Sequence, residues 1–342
     1  MTGGLQGMVG LSGVQSICQG VQMNGKTLQV RIDVMAREAE DIVSLVLRPA
    51  EGGILPPFRT GAHIDLHLPN GLRRSYSLLN DEGDRECYVI AVQKDRNSRG
   101  GSAYIHDSLK VGDRLSIGAP RNDFPLVEDA AHIVLIAGGI GVTPLFAMAR
   151  RLAILGKSWE FHYCARSRRS AAFLDEIVAL CAANGRRFHG RFDDESDGKF
   201  IDLDTVVAAA PAGAHFYCCG PAPMLAAFGS ATAAVARDRV HVEYFTAKEV
   251  PDVSGGFVVE LARSGRRFDI PAGKTILEVL IENRMTPKFQ CMEGVCGECE
   301  SRVLAGTPIH RDSYLTEEER ASNKTMMICC SGCLGDKLVL DI

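Results

Sequence analysis

Cys291-Met292-Glu293-Gly294-Val295-Cys296-Gly297-Glu298-Cys299 contains three cysteines within nine residues, and a fourth cysteine, Cys329, follows after 29 further residues. The spacing Cys-x4-Cys-x2-Cys…Cys is that of a plant-type 2Fe–2S cluster. Two bridged irons need four thiolates that converge on one point, so three come from one tight loop and the fourth from elsewhere in the chain. Gly294 and Gly297 leave room for backbone amides to turn toward the cluster sulfurs. We therefore predict a 2Fe–2S cluster bound by Cys291, Cys296, Cys299 and Cys329.

Two further cysteines leave a second interpretation open. Cys296-x2-Cys299 and Cys330-x2-Cys333 form two Cys-x2-Cys pairs, a spacing typical of structural zinc sites. A zinc site would leave two of the four cluster cysteines unexplained, whereas the cluster leaves the second pair spare. In a strand, Cys329 and Cys330 would point to opposite faces, so only one of them would reach the cluster, and the spacing favours Cys329.

The composition is that of a globular protein with substantial cores. The chain has 342 residues, of which 46% are hydrophobic and 23% charged, enough for two or three domains. A net charge of −4 argues against a nucleic-acid-binding protein, which needs a basic face. Twelve cysteines without a secretory signal indicate thiol or metal chemistry in a cytoplasmic protein. The uncharged stretch Ile133–Ala149 is short for a membrane span and contains three glycines and a proline, so we predict no membrane segment.

Apolar and polar residues alternate in short runs from Leu28 to Phe124, with turn residues between the runs. This pattern predicts strands at Leu28–Val34, Ile42–Arg48, His63–Leu68, Ser75–Leu79, Cys87–Gln93 and Arg114–Gly118. Short strands at this spacing predict a small antiparallel β-barrel.

The pattern changes after Phe124, where strands begin to alternate with helices. The predicted strands are His132–Ile136, Trp159–Cys164, Phe188–Phe192, Phe216–Cys219 and Val240–Tyr244. The predicted helices are Pro144–Leu155, Ala171–Ala183 and one that starts near Pro223. This alternation predicts a parallel, doubly wound sheet. Beyond a polar linker, a hairpin (Phe257–Leu261 with Arg267–Ile270) and a helix (Ile276–Asn283) precede the cysteine loop.

Two short motifs in the first segment are suited to a flavin. Arg74-Ser75-Tyr76-Ser77 combines a cation, a flat aromatic ring and two hydroxyls on one predicted strand. Arg can neutralise a phosphate in a forked geometry, and Tyr can cover an isoalloxazine ring. Arg99-Gly100-Gly101-Ser102 precedes a predicted helix, whose exposed amides could bind a terminal phosphate. Each motif is also compatible with ordinary structure, a strand in the first case and a glycine turn with a serine cap in the second.

Two strand–turn–helix motifs in the second segment are suited to a dinucleotide. In Gly138-Gly139-Ile140-Gly141-Val142-Thr143-Pro144, we expect Thr143 to cap the helix and Pro144 to occupy its first turn. The full Gly-x-Gly-x-x-Gly fingerprint is missing. Cys219-Gly220-Pro221-Ala222-Pro223-Met224 forms the second strand–turn–helix motif, at the other end of the segment. Either turn could be purely structural.

These motifs, in this order, resemble those of the ferredoxin-reductase-like flavoproteins. With the cysteine segment at the C-terminal end, the chain from about Lys26 to Ile342 resembles the phthalate dioxygenase reductase family, to which the vanillate O-demethylase reductases are related. The resemblance implies a multidomain fold with an antiparallel β-barrel flavin domain, an α/β doubly wound nucleotide-binding domain and an α+β ferredoxin-like β-grasp 2Fe–2S domain. We accordingly expect a disordered extension (1–23), an FMN-binding barrel (24–125), an NAD-binding domain (126–248), a linker (249–256) and a 2Fe–2S domain (257–342).

The resemblance also implies roles for individual residues. The residues that would bind FMN and its phosphate are Arg74, Ser75, Tyr76, Ser77, Ala91, Val92, Gln93, Arg99, Gly100, Gly101 and Ser102. As catalytic residues, Thr143 would approach the reactive edge of the flavin and Cys219 would face the nicotinamide, while Phe245 would pack on the flavin ring. The remaining NADH contacts would be Gly138, Gly139, Gly141, Gly220 and Pro221, with Arg166 and Ser167 near the adenosine half.

The function implied is that of the reductase component of a Rieske-type aromatic-ring oxygenase or O-demethylase. A hydride would pass from NADH to FMN, and single electrons would then pass through the cluster to the oxygenase in a transient complex. The glycine-rich phosphate site favours FMN over FAD, while Arg166, Arg168 and Arg169 leave NADPH open as a donor. The alternatives are a freestanding diaphorase or redox sensor, and a flavin domain fused to a zinc-stabilised interaction module. The sequence departs from the family pattern at Gln93, where a basic residue is common, and at Cys330 and Cys333, where cysteine is unusual.

Overall fold

The computed structural model describes residues 27–96, 98, 100–196, 199–245, 252–289, 292, 294–295 and 297–342. All structural statements below refer to these residues. The expected extension (1–23), the first part of the expected linker, and the site residues Arg99, Cys291 and Cys296 lie outside them. Within the described residues the strands form three sheets, one for each of the three expected folded segments.

The first sheet is antiparallel and has six strands in the order β4-β3-β6-β1-β2-β5. Its strands are β1 (Thr27–Ala39), β2 (Ile42–Pro49), β3 (His63–His67), β4 (Arg73–Ser77), β5 (Tyr88–Gln93) and β6 (Arg114–Gly118). A backbone hydrogen bond of 2.8 Å from the Leu79 N–H to the Val89 carbonyl joins the two ends of the sheet. Alternate side chains such as Val30, Leu45 and Ile117 point inward and are completely buried, so the sheet closes around its own core. Helix α1 (Gly101–Asp107) follows β5.

The second sheet is parallel and has five strands in the order β11-β10-β7-β8-β9. Its strands are β7 (Ile133–Gly138), β8 (Trp159–Ala165), β9 (Arg187–Phe192), β10 (His215–Cys219) and β11 (Val240–Glu243). Helices α2 (Val142–Ile154) and α3 (Leu174–Ala183) cover one face, and α4 (Leu203–Ala209) and α5 (Ala222–Ala231) cover the other. The strand order reverses between β7 and β10, and ligands of doubly wound sheets bind at the carboxyl ends of strands at such a point.

The third sheet is mixed, in the order β13-β12-β16-β14-β15, and packs on one helix. Its strands are β12 (Phe257–Leu261), β13 (Arg267–Ile270), β14 (Glu300–Ile309), β15 (Thr325–Met327) and β16 (Gly332–Leu340), with helices α6 (Ile276–Glu282) and α7 (Glu317–Ser322). The predicted hairpin of β12 and β13 is confirmed. The sequence pattern missed β14 because most of its side chains are exposed and the strand is irregular around Ala305.

One local expectation about α2 is wrong. The residue that precedes the helix is Gly141, and no side chain caps the helix. Thr143 lies inside the first turn, and its hydroxyl donates to the Ile140 carbonyl over 3.0 Å. The glycine turn itself therefore starts the helix. Among the described helices, none combines the length and the apolar character that crossing a bilayer requires.

Candidate functional site

A cleft of about 520 Å³ lies between the barrel and the carboxyl ends of the strands of the parallel sheet. Its volume is in the range of small-molecule sites, about 300–1,000 Å³. Ten of the residues expected to bind FMN or NADH line it, namely Arg74, Ser75, Tyr76, Ser77, Ala91, Gln93, Ser102, Thr143, Arg166 and Phe245. The barrel and the α/β segment thus contribute to one site, which we call the main cleft.

Strand β4 supplies the polar wall of the main cleft. The Ser75 hydroxyl donates to Asp65 over 2.9 Å and is anchored in the barrel. The Ser77 side chain is different, because its buried oxygen has no hydrogen-bond partner among the described residues. A buried hydroxyl without a partner is uncommon and indicates a group that the structure does not contain. A polar ligand in the main cleft would satisfy Ser77.

The glycine turn before α1 brings the Arg74 guanidinium to the start of that helix. A side chain at Gly101 would place its Cβ 2.7 Å from Arg74 Nε, so only glycine allows this approach. Gly100 has a φ of 91°, and its N–H is accepted by the Ser98 hydroxyl over 3.2 Å. The Ser98 hydroxyl also accepts the Ala103 N–H over 3.2 Å, and the Ser102 hydroxyl donates to Ser98 over 3.0 Å, so both serines hold the start of the helix. A cation beside a helix start fits an anionic group such as a phosphate.

Strand β5 presents alternate side chains to the main cleft. Ala91 and Gln93 line it. Val92, which we expected to contact the flavin with them, is 1% exposed and packs in the barrel core. Its carbonyl contacts the His106 ring nitrogen over 2.9 Å. Strand alternation therefore places the Val92 side chain behind the wall of the cleft.

The two glycine turns of the α/β segment pack backbone against backbone. A Cβ at Gly141 would lie 2.2 Å from the Cys219 carbonyl oxygen, and one at Gly138 would lie 2.7 Å from Pro221 Cδ. A Cβ at Gly220 would lie 3.0 Å from the Gly138 Cα. These glycines are required by the contact between the turns, which meet at the strand-order reversal. At Gly139, φ is 54° and the space beside the Cα is open, so a nucleotide can approach the backbone there.

Cys219 lies at this junction with a carboxyl group beside it. It is completely buried, and its Sγ is 4.0 Å from Oε2 of Glu243. Burial raises the pKa of the Cys219 thiol, and the Glu243 carboxyl raises it further. Burial also raises the pKa of Glu243 to about 8, and the Asp123 carboxylate adds to this shift. Cys219 and Glu243 therefore both hold protons at neutral pH.

The arginines after β8 have different partners. Arg166 lines the main cleft. Arg168 donates to Glu195 over 2.7 Å and lies over the Phe192 ring, so its guanidinium is already paired. The Ser167 hydroxyl accepts the Ser170 N–H in a short capping box. Of these three residues, Arg166 is the one that lines the main cleft.

The cysteine loop is built on two glycines with left-handed backbones. Gly294 has a φ of 69°, and its N–H donates to Cys329 Sγ over 3.2 Å. Gly297 has a φ of 74°, and a side chain there would overlap the Tyr314 ring. Cys299 and Cys329 are both buried. An N–H directed at a cysteine sulfur suits a cluster ligand, because such hydrogen bonds stabilise charge on sulfur.

The expected strand alternation at Cys329 and Cys330 is wrong. Strand β15 ends at Met327, and a turn follows in which the Cys330 N–H donates to the Met327 carbonyl over 3.2 Å. Both thiols consequently lie against Gly294, since a Cβ on that residue would be 2.5 Å from Cys330 Sγ. The hydrogen bond from Gly294 distinguishes Cys329 as the better placed ligand.

A second cleft of about 330 Å³ connects the flavin strand with the cysteine loop. It shares Arg74, Ser75, Ser77 and Phe245 with the main cleft, and Val295 and Tyr314 form its far wall. Arg121 of the barrel bridges Asp65 (3.2 Å) and Glu298 (3.8 Å) across the junction. Neither this cleft nor the position of Glu243 and Asp123 on its wall is evident from the sequence. Glu243 follows Val242 at the end of a predicted strand, where a carboxylate facing the junction could have been noticed.

Comparison with known proteins gives two family matches. Residues 259–333 match the 2Fe–2S iron–sulfur cluster binding domain, and residues 135–229 match the oxidoreductase NAD-binding domain. The first match supports a cluster over the zinc interpretation of the cysteines.

Similar whole chains are also known. The chain is 52% identical over 316 residues to phenoxybenzoate dioxygenase subunit beta of Ectopseudomonas oleovorans, covering 92% of this chain and 97% of the relative. It is 50% identical over 321 residues to tetrachlorobenzoquinone reductase of Sphingobium chlorophenolicum, covering 92% and 98%. Among solved structures, phthalate dioxygenase reductase is similar, with 36% identity, a TM-score of 0.77 and coverage of 92% and 98%. That structure is described as modular, for electron transfer from pyridine nucleotides to a 2Fe–2S cluster.

Proposed function

This chain belongs to the phthalate dioxygenase reductase family, and from that premise we propose that it passes electrons to a Rieske-type terminal oxygenase. The protein is an NADH-dependent oxidoreductase with FMN and a 2Fe–2S cluster as its cofactors. Bound FMN supplies the exchange between the two-electron chemistry of NADH and the one-electron chemistry of the cluster. Arg74, the turn at Gly100 and Gly101, and the Ser77 hydroxyl fit FMN. Cys329 with the Gly294 N–H directed at its sulfur fits the cluster.

The two clefts are continuous, and this continuity is the main support for electron transfer from the flavin to the cluster. Arg74, Ser75 and Ser77 of β4, together with Phe245, form walls of both. The far wall of the second cleft is Val295 and Tyr314, beside the cysteine loop. A flavin on β4 would therefore have the nicotinamide site on one side and the cluster on the other. This arrangement supports electron transfer within one chain.

The proposed roles of the residues follow from their positions. Arg74 and the turn at Gly100 and Gly101 would bind the flavin phosphate, and Ser77 would donate to the flavin. Thr143 would contact the reactive edge of the flavin, and Cys219, the last residue of β10, would face the nicotinamide beside the turn at Gly220. The proposed cluster ligands are Cys291, Cys296, Cys299 and Cys329. The proposed domain limits stay as expected from the sequence, namely 24–125, 126–248 and 257–342, with a linker at 249–256.

A terminal oxygenase is the proposed acceptor because one similar protein carries the name of a dioxygenase subunit. The proposed location is the cytoplasm, whose reducing conditions keep cysteines available as thiolate ligands of a cluster. A second candidate function is direct reduction of a quinone, since the other similar protein is named for tetrachlorobenzoquinone. The two functions differ in whether the cluster is needed for turnover.

The test uses the holoprotein, NADH and two acceptors under anaerobic conditions. The acceptors are a purified Rieske oxygenase of the phenoxybenzoate, vanillate or phthalate type and tetrachlorobenzoquinone. We expect NADH to bleach the Rieske absorption through the wild-type chain and not through Cys329→Ser. Rapid quinone reduction that Cys329→Ser leaves unchanged, with no transfer to any of the oxygenases, would support the quinone reductase instead.

A further inference from the structure

A cluster of metal-ligating side chains lies on the parallel sheet, away from both clefts. Glu160 and His162 are two residues apart on β8 and share a face. His189 on the neighbouring strand β9 is directly in register with His162. These side chains belong to the amino-terminal half of their strands, whereas the nucleotide turns lie at the carboxyl ends.

The three side chains already contact one another. Glu160 Oε1 is 3.2 Å from His162 Nε2. The rings of His162 and His189 stack with their centroids 4.5 Å apart and their planes 11° apart. One ligand atom from each residue can be chosen so that all three lie within 4.8 Å of one another. A fourth residue, His132, is close enough to interact electrostatically with Glu160, and its buried Nε2 has no hydrogen-bond partner among the described residues.

The chemistry of the three side chains suits a metal ion. Carboxylate oxygens and imidazole nitrogens are common ligands of Zn²⁺ in proteins. Arg187, which pairs with Glu160 across the strands, is exposed and can turn its charge into solvent.

We propose that Glu160, His162 and His189 form a Zn²⁺ site that cross-links β8 and β9. Two imidazoles and a carboxylate with a water in the fourth position make a tetrahedral set, which needs ligand atoms roughly 3.4 Å apart. His162 and Glu160 meet this spacing as they stand. His189 is exposed, and one of its ring nitrogens lies within 4.8 Å of the other two ligand atoms, so binding the ion would require its ring to leave the stack.

The site would stabilise an edge of the α/β segment. Among the described residues, strand β9 is the last strand of its sheet and is paired on one side only, with β8. An ion held by both strands binds the folded state and not the unfolded one, and so raises stability by mass action. Gly138, where the first nucleotide turn begins, is in register with Cys164, two residues beyond His162, so the ion would lie about 7 Å or more from that turn along the sheet. The proposed role is therefore structural and separate from electron transfer.

The experiment measures zinc binding to the intact holoprotein. After anaerobic dialysis against ZnCl₂ and desalting, zinc and iron per chain are measured in wild type, His189→Ala and Glu160→Gln. We expect one zinc more in wild type than in either variant, equal iron in all three, and affinity at least about tenfold weaker in the variants. Zinc should raise the Tm of wild type by roughly 5 °C and leave that of His189→Ala unchanged.

A second histidine pair provides the matched control. His215 and His241 lie on neighbouring strands of the same sheet, with stacked rings 5.4 Å apart. The pair is not among the groups of three ligating side chains found in the described residues. His215→Ala should bind zinc as wild type does. Equal zinc binding in wild type and His189→Ala, or an equal loss in His189→Ala and His215→Ala, would overturn the proposal.

Discussion

Cys219 and Cys329 are both buried cysteines beside a cofactor site, and they differ in the group that faces the sulfur. The Cys219 sulfur is 4.0 Å from the Glu243 carboxyl, in a site where burial raises the pKa of the thiol. The Cys329 sulfur accepts the Gly294 N–H over 3.2 Å. A carboxyl next to sulfur favours the neutral thiol, whereas an N–H donor favours charged sulfur. The comparison shows that burial by itself does not determine what a cysteine does.

The glycines at the two sites differ in a parallel way. Gly141 is required because the Cys219 backbone leaves no room for a side chain. Gly294 is required because its φ of 69° directs an N–H at sulfur. One site uses glycine for close packing between turns, and the other uses it to present a hydrogen-bond donor.

The same substitution at the two cysteines should have opposite results. Cys329→Ser should lower iron and labile sulfide by about tenfold or more, because the cluster loses a thiolate ligand. Cys219→Ser should retain iron, sulfide and FMN, since the protonated thiol is replaced by a group of similar shape. Metal analysis and visible spectra of the purified proteins measure both. Loss of iron in Cys219→Ser would contradict the contrast.

Substitution of Cys330 and Cys333 tests which cysteine is the fourth cluster ligand. Cys330→Ser and Cys333→Ser should keep near-normal iron, since the Gly294 N–H is directed at Cys329. If Cys330→Ser loses the cluster and Cys329→Ser keeps it, the assignment of the fourth ligand is reversed.

Gly294→Ala should damage the cluster loop more than backbone strain alone explains. The new Cβ would lie 2.5 Å from Cys330 Sγ at a φ of 69°. We expect cluster content to fall severalfold and the free energy of unfolding to fall by about 1–3 kcal/mol. Gly273→Ala is the matched control, because Gly273 has a φ of 87° with open space beside it. Denaturation should show a larger loss of stability in Gly294→Ala than in Gly273→Ala, and iron analysis should show cluster loss only in Gly294→Ala.

Glu243→Gln should change how stability depends on pH. The pKa of Glu243 is about 8 in the folded protein against an ordinary value of 4.5, so the folded state binds the extra proton. Stability from this group is therefore lost as pH rises from about 4.5 to 8. The Tm of Glu243→Gln minus the Tm of wild type should therefore increase by about 2 °C or more as the pH is raised from 5 to 9.

A capping carboxyl serves as the control for this pH dependence. Hydrogen bonds from Thr316 lower the pKa of Glu319, so this group stays ionised between pH 5 and pH 9. The Tm of Glu319→Gln should differ from that of wild type by a constant amount over this range. A constant difference for Glu243→Gln as well would contradict the raised pKa.

Ser77→Ala should have the smallest effect, on flavin affinity. The Ser77 hydroxyl is buried without a partner among the described residues, whereas Ser75 already donates to Asp65. One hydrogen bond is worth about 1 kcal/mol, so FMN should bind about fivefold more weakly to Ser77→Ala. Flavin fluorescence titration of the deflavinated protein measures this. A larger loss of FMN affinity in Ser75→Ala than in Ser77→Ala would show that Ser75, and not Ser77, donates to the flavin.

Much of the fold was predictable because its signals are local. Strands β6, β12 and β13 have the limits that alternation predicts. Strand β14 was missed because its side chains are mostly exposed, so burial leaves no alternation in the sequence. Helix α7 was missed because it is short and solvent-exposed.

By itself, the sequence determined the order of the three folded segments and the cysteine spacing of the cluster, because both depend on residues close together along the chain. Only the tertiary structure decided which groups face each other across distant segments. It brought Glu243 to Cys219 and joined the flavin strand to the cysteine loop through a shared cleft. These relations depend on how sheets close and pack against one another. Packing over such sequence distances leaves no periodic mark in the amino-acid sequence.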